Sequence, residues 1–438
     1  MLVLIATALP SCQKAQPAPV TTLTAMVKKT PLVFVPGVTG SKLRDPETRE
    51  TVFGQGINVV VPHDGGYGIA LPVTGGGHAG LEAFAVVDRV SFGFTTVEVF
   101  GPLMELLEAN GYRLGDMEVP RVADTLFPFP YDWRQDSAES ARLLVERLAR
   151  LRRVRGGGLL RVALICQSTG AHVCRYLVKY GGAPLEEAAS GRAGPLPWLE
   201  VTRLILIATS NGGSMRTLRE LNRGRRYVRL YGRVLRAEVF FTFRSLYQDL
   251  PCWRRDLFVD TSGERLEVDL CDVASWERYG WSAYGRDAAR RISRSGRSDL
   301  FGSEEDRRRY LREALDRSKR FQDLLHRDVV GFGPTLYFLI QDASRDTPER
   351  AVLVREDGEW RTLFTGDREV ERLPALHDRV TTTGDGHATM RSQLWLSPQE
   401  KASLATAPIY VEGGHFELIH DREATRHLTE ILDENWRR

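Results

Sequence analysis

The sequence predicts an α/β fold with a mostly parallel central sheet and helices on both of its faces. Three observations predict it. Short apolar runs rich in β-branched residues recur along the chain, as PLVFV from Pro31, LLRVALIC from Leu159, RLILIAT from Arg203 and PTLYFLIQ from Pro334. Segments with helical apolar spacing stand between the earlier runs, the order expected of parallel strands buried on both faces. The composition, 42% hydrophobic and 27% charged over 438 residues, is that of a globular chain with a sizeable core.

Each element has its own signal. Leu32 to Val35 reads as a first strand, stopped by Pro36-Gly37. Residues 46 to 95 are glycine-rich and mixed, suggesting loops and short strands; no GxxxxGK[ST] phosphate loop occurs. Thr96 to Asn110 reads as a helix with Phe100, Met104 and Leu107 on one stripe and Gly111 as its stop. A second helix follows, with Asp136 and Glu139 in capping-box spacing and Ala141, Leu144, Leu148 and Leu151 on one face. Glycines 156 to 158 end it, and the strand LLRVALIC leads to the helical run VCRYLVKY, which stops at Gly181. After RLILIAT the strand–helix rhythm is lost from Asn211 to Val330, a mostly helical insertion rich in Arg, Trp and Tyr. It resumes at PTLYFLIQ, followed by a hairpin at 351 to 364 turning on Asp357-Gly358, a last strand in APIYVEGG and a terminal helix. The expected organisation is a leader and tether at 1–28, a core formed by 29–210 and 331–438, and a cap insertion at 211–330.

The net charge of +3 is small for this length, and no zinc-finger or RNA-module spacing appears, so a nucleic-acid partner is not expected. Arginines cluster between Gly285 and Arg320, but acidic residues are interspersed, which favours a solvated helical face over a lipid-headgroup or polyanion patch. MLVLIATALPSC is too short to span a bilayer and fits the apolar region of an export signal. Leu9-Pro10-Ser11-Cys12 resembles a bacterial lipobox. The expectation is an exported protein of the bacterial cell envelope, lipid-anchored through Cys12 and so held at a membrane surface, or else periplasmic or secreted. Of the five cysteines, Cys252 and Cys271 flank a loop-rich segment and could pair in an oxidising compartment. Cys166, inside an apolar run, is expected to pack as a small buried thiol. No His/Cys cluster suggests a metal site, and no cofactor is expected.

The chemistry centres on Cys166-Gln167-Ser168-Thr169-Gly170, where a strand gives way to a helix. A serine hydroxyl needs a base to become a nucleophile and must project from its scaffold. A sharp strand-to-helix turn meets that need and sets the next backbone N–H at a helix N-terminus, where an oxyanion is stabilised. Such a turn wants small residues two places either side of the serine. Gly170 supplies one, and compact Cys166 stands where glycine is usual. In this arrangement the acid and then the base follow the serine in the chain. Among nine histidines, His415 follows the last strand through Glu412-Gly413-Gly414 and is the expected base, with His420 as alternative. Asp385, between two glycines in TTTGDGHATM, is the expected acid, with Asp342 as alternative. His387 is too near Asp385 in sequence to be expected to face it across a cleft. The oxyanion donors are expected at the N–H groups of Thr169 and of Val38 in PGVTG.

Several stretches resemble the lecithin:cholesterol acyltransferase and lysosomal phospholipase family: PLVFVPGVTGSKL, PYDWR at 130 to 134, CQSTG, NGGS at 211 to 214, GDG at 384 to 386 and GGHFELI near the end. The likeness runs from about residue 30 to the C-terminus, and QDLPCWRRDLFVDTSGERLEVDLCDVASWERYGW resembles the cap of bacterial relatives. The resemblance implies an α/β-hydrolase with a cap, acting on lipid esters through Ser168, Asp385 and His415, with Val38 and Thr169 as oxyanion donors. Two places depart from the family pattern: Cys166-Gln167 replace Gly-His, and His387-Ala388 follow GDG where Thr-Val is common. Water or an alcohol would accept the acyl group. The alternatives are an esterase for a polymer or cell-envelope ester, and a non-catalytic lipid-binding lipoprotein of the same fold. The aromatics Phe240, Phe241, Phe243, Tyr247, Trp253, Trp276 and Trp281 would line an acyl groove or pack the cap onto the core. No protein partner is implied.

Overall fold

The computed structural model describes residues 29–56, 64–75, 80–92, 95–225 and 235–433. Its centre is a six-stranded sheet: β1 (Leu32–Val35), β2 (Leu126–Pro128), β3 (Leu160–Gln167), β4 (Leu199–Ile207), β5 (Leu336–Gln341) and β6 (Ile409–Tyr410). In space the strands run β6-β5-β4-β3-β1-β2, and every neighbouring pair is parallel. Successive side chains of a strand point to opposite faces. Accordingly Val33, Val35 and Leu164 join one apolar cluster, while Leu32, Phe34, Ala163 and Ile165 join another. Burying such a side chain contributes about 1.5–3 kcal/mol, which exceeds the about 1–2 kcal/mol needed to fix one residue's backbone. That is why these runs are apolar at consecutive positions rather than alternating.

Helices cover both faces. α1 (Gly101–Ala109) contributes Leu103, Met104 and Leu107 to the second cluster, together with Leu428, Ile431 and Leu432 from the C-terminal helix (Arg422–Leu432). α2 (Ser137–Val154) and α3 (Gly170–Tyr180) pack on the other face through Leu144, Leu148, Val173 and Leu177. This is the predicted fold class, with two local differences. Thr95–Glu98 is a strand paired with Arg89–Phe92, and the helix begins only at Gly101. The β-branched run TTV favours the strand, and Pro102 suits the first helical turn. Asp136 does cap α2, accepting from the Ala138 N–H, but Glu139 does not close a capping box and pairs with Arg142 instead.

Residues 211–330 carry mostly helices, the longest Glu304–His326, plus two short strands. One of these, Phe258–Val259, pairs with Ala351–Glu356 of the predicted hairpin, so the hairpin extends a second sheet rather than the central one. Phe240, Phe241, Phe243, Tyr247, Trp276 and Trp281 are all fully buried in the apolar cluster, and Trp253 stacks on Trp395. In this structure these aromatics pack. Cys252 and Cys271 form a disulfide. So do Cys166 and Cys174, which corrects the expectation of a free buried thiol at Cys166. Cys174 lies one helical turn into α3, and the sharp bend at Ser168 folds that turn back against the end of β3. No helix among the described residues is long and apolar enough to cross a membrane. Residues 1–28, predicted as a leader and tether and including Cys12, lie outside the described residues.

Candidate active site

Ser168 sits at the junction of β3 and α3 with φ of +53°, a left-handed conformation that a non-glycine residue adopts only under local constraint. The constraint is visible. The Ser168 N–H donates to the Ile207 carbonyl of β4, and its own carbonyl accepts from Ala171 in the first turn of α3. A Cβ at Gly170 would come within 2.4 Å of the Val35 carbonyl oxygen, so the turn closes only over glycine there. At the other flank Cys166 is accommodated, its sulfur bonded to Cys174.

The loop after β1 lies directly against this turn. A Cβ at Gly37 would stand 2.7 Å from the Ser168 Cβ. PYDWR holds the loop in place. The Tyr131 hydroxyl donates to the Pro36 carbonyl at 2.7 Å, the Trp133 indole donates to the Ser41 carbonyl at 3.1 Å, and the Tyr131 N–H donates to the Ser41 hydroxyl at 3.1 Å. Gly37 N–H donates to the Gln167 side-chain oxygen, and Val38 N–H donates to Thr169 Oγ1 at 2.9 Å.

Ser168, His415 and Asp385 converge from three distant parts of the chain. Ser168 Oγ lies 2.9 Å from His415 Nε2, and His415 Nδ1 lies 2.8 Å from Asp385 Oδ2. The other Asp385 oxygen accepts the N–H groups of His387 and Ala388 at 2.8 and 2.7 Å. Burial works against ionisation of Asp385, but the His415 imidazole and these amides outweigh it and hold its carboxyl below the usual range. A carboxylate so placed fixes the imidazole tautomer, leaving Nε2 to face the hydroxyl. The three residues are 8, 2 and 4% exposed for Ser168, Asp385 and His415, so the hydrogen-bonded chain is shielded from water.

The two alternatives have other places. Asp342 accepts the Gly414 N–H at 2.7 Å and the Ser344 N–H at 2.6 Å, and so pins the loop that carries His415. His420 ends a short 3-10 turn after that loop. His387, not anticipated at the site, lies flat on His415, with ring centroids 4.3 Å apart and 22° between the planes. Burial, with the neighbouring His415 and Arg216, keeps it well below the ordinary histidine pKa. Behind it is Asp249, 3.8 Å away, which accepts the hydroxyls of Ser210 and Thr217 and whose pKa burial pushes up. The only signal for His387 in the sequence was its departure from the family pattern. Among the described residues, no three His, Cys, Asp or Glu side chains converge as a metal ion would require.

Residues 73–233, which include PYDWR, the Ser168 turn and NGGS, match the family model described as lecithin:cholesterol acyltransferase. No curated protein matches the sequence. Among solved structures, a chain of the Tle4-Tli4 complex is similar over 92% of this chain and 98% of its own, at 12% identity and a TM-score of 0.57. Lipase BlEst2 of Bacillus licheniformis in mature form aligns over 93% of both chains, at 11% identity and a TM-score of 0.32. With its parallel sheet and strand-to-helix turn, this chain has an α/β-hydrolase fold, and its residues 73–233 are similar to the lecithin:cholesterol acyltransferase family.

Proposed function

We infer that this protein cleaves or transfers the acyl group of lipid carboxylic esters through an acyl-serine intermediate. The observation that carries the reading is the continuous chain Ser168 Oγ, His415 Nε2, His415 Nδ1, Asp385 Oδ2, with links of 2.9 and 2.8 Å. His415 takes the hydroxyl proton as Ser168 Oγ bonds to the ester carbonyl carbon, and the carbonyl electron pair moves onto oxygen. Collapse returns that pair, breaks the bond to the alkoxy group, and His415 protonates the departing alcohol. A water or alcohol then attacks the acyl-serine, giving its proton to His415, and the acid or new ester leaves as Ser168 regains a proton. Asp385 stays ionised throughout and stabilises the imidazolium. The match to lecithin:cholesterol acyltransferase over residues 73–233 supports lipid esters as the substrate class.

Residues 211–330 would act as the cap over this site, and Cys12 as a lipid anchor holding the enzyme at a bacterial envelope membrane. A fluorophosphonate probe should label the wild-type protein once per chain, and Ser168→Ala should lose both the label and turnover of a short nitrophenyl ester. Label retained by Ser168→Ala would refute the assignment of the nucleophile. A wild-type protein with neither label nor turnover would favour a lipid-binding lipoprotein of the same fold.

A further inference from the structure

Two backbone N–H groups are expected to face the oxyanion in this fold, but here they are not equivalent. Val38 N–H already has an acceptor, the Thr169 hydroxyl, at 2.9 Å. The loop carrying Val38 has little freedom to turn that N–H elsewhere. Pro36 and Ser41 are tied to Tyr131 and Trp133, Gly37 N–H is held by Gln167, and Gly40 N–H closes back on the Gly37 carbonyl at 3.0 Å. Gly37 also abuts Ser168 itself, so the loop cannot advance towards the nucleophile.

The Thr169 hydroxyl, by contrast, has a proton to give. Its oxygen accepts from Val38, and among the described residues no protein group accepts its hydrogen. It is almost fully buried, follows the nucleophile directly, and sits at the N-terminus of α3, where helical N–H groups favour negative charge. A hydroxyl that accepts from an amide is polarised and becomes a better donor through its own hydrogen.

We propose that the Thr169 side chain is a catalytic residue of this site, an oxyanion donor that relays the Val38 N–H to the tetrahedral intermediate. The oxyanion would then be met by the Thr169 backbone N–H and the Thr169 hydroxyl, with Val38 one hydrogen bond behind. No proton is transferred in this role; the hydroxyl donates a hydrogen bond that strengthens as the carbonyl oxygen gains charge. This rests on the reading that Ser168 attacks an ester.

The test compares Thr169→Val, Thr169→Ser and Thr169→Ala with wild type, on a nitrophenyl ester and with a trifluoromethyl ketone that mimics the tetrahedral adduct. Valine keeps the β-branched shape and frees the Val38 N–H. Loss of one oxyanion donor predicts a fall of roughly 10²–10³-fold in kcat for Thr169→Val and Thr169→Ala, with KM little changed and ketone affinity weakened in parallel. Thr169→Ser should restore most of both. Unchanged or faster turnover in Thr169→Val, with Ser168 still required, would mean that the hydroxyl only blocks Val38, and would overturn this proposal while leaving the ester reading intact. Absence of turnover in wild type would instead remove the ester reading itself. Circular dichroism and full fluorophosphonate labelling at long times identify a variant that has simply misfolded, in which case Thr169→Ser and the ketone affinities decide.

Discussion

The ring of His387 lies against that of His415, with centroids 4.3 Å apart and planes 22° from parallel. It presents a flat, uncharged wall to the imidazole that hydrogen-bonds Ser168. Replacing His387 with Phe should preserve the wall and most of the activity. His387→Ala should open a cavity beside His415, let the ring tilt, and lower kcat by about 10-fold or more, since misplacement near 1 Å can cost about 10²-fold. Steady-state kinetics on the two variants checks this.

The same burial has a consequence for stability. His387 and His172 are both held below the ordinary histidine value of 6.5, chiefly by burial. The groups facing His387 include His415, Arg216, Glu220, Asp385 and Asp249. In the unfolded chain these histidines bind protons below about pH 6.5, while in the folded protein they do not. Their contribution is complete above that pH and is lost progressively as the pH falls towards the depressed folded values. Each adds a slope of up to about 1.4 kcal/mol per pH unit. Urea unfolding at pH 7.5, 6 and 5 should show stability falling with pH, and His387→Phe should fall less steeply.

Cys166 stands where the family pattern has glycine, and its bond to Cys174 ties β3 to α3 across the Ser168 turn. The bond closes a short loop, so losing it should cost about 2–4 kcal/mol. The double variant Cys166→Gly, Cys174→Ala should therefore unfold at lower urea yet keep turnover at low temperature, because glycine also satisfies the turn. A double variant as stable as wild type would show that the bond braces nothing.

Gly37 is a point of close approach between the first loop and Ser168. Gly37→Ala sets a methyl 2.7 Å from the Ser168 Cβ, and either the loop or the serine must shift. Activity should drop by about 10²-fold or more with the fold retained. Gly158→Ala, which meets nothing within 4 Å, serves as the control and should be neutral.

Glu400 is fully buried between Arg175 and Lys179, with carboxylate contacts of 2.7 and 3.4 Å. Glu400→Gln leaves two buried cations on α3 without their counter-charge, a change that costs about 3–5 kcal/mol. Chemical denaturation should show that loss, and an effect below 1 kcal/mol would mean that water reaches the pair.

Much of this architecture is legible one segment at a time. LVFV, VALIC, LILI and LYFLI are strands because parallel strands covered on both faces need apolar residues at consecutive positions. Gly181 stops α3 because its φ of +59° is left-handed, which glycine adopts without strain. Thr96–Glu98 falls within the predicted helix but forms a strand, because a span with one apolar residue, Val97, fixes no period and only pairing with Arg89–Phe92 decides it. The hairpin predicted at 351–364 is recognisable from Asp357-Gly358, but its partner strand is not, since Phe258–Val259 lies over 90 residues away.

By itself, then, the sequence determined the strand and helix order, the sharp turn at Ser168 and a short set of candidate acids and bases, because these depend on local backbone preference and local apolar spacing. Only tertiary structure brought His415 rather than His420 against Ser168, set Asp385 rather than Asp342 against the His415 ring, bonded Cys166 to Cys174, stacked His387 on His415 and turned Val38 towards the Thr169 hydroxyl. Those outcomes depend on contacts between residues up to 247 positions apart, set by how whole layers pack. No local pattern carries that information.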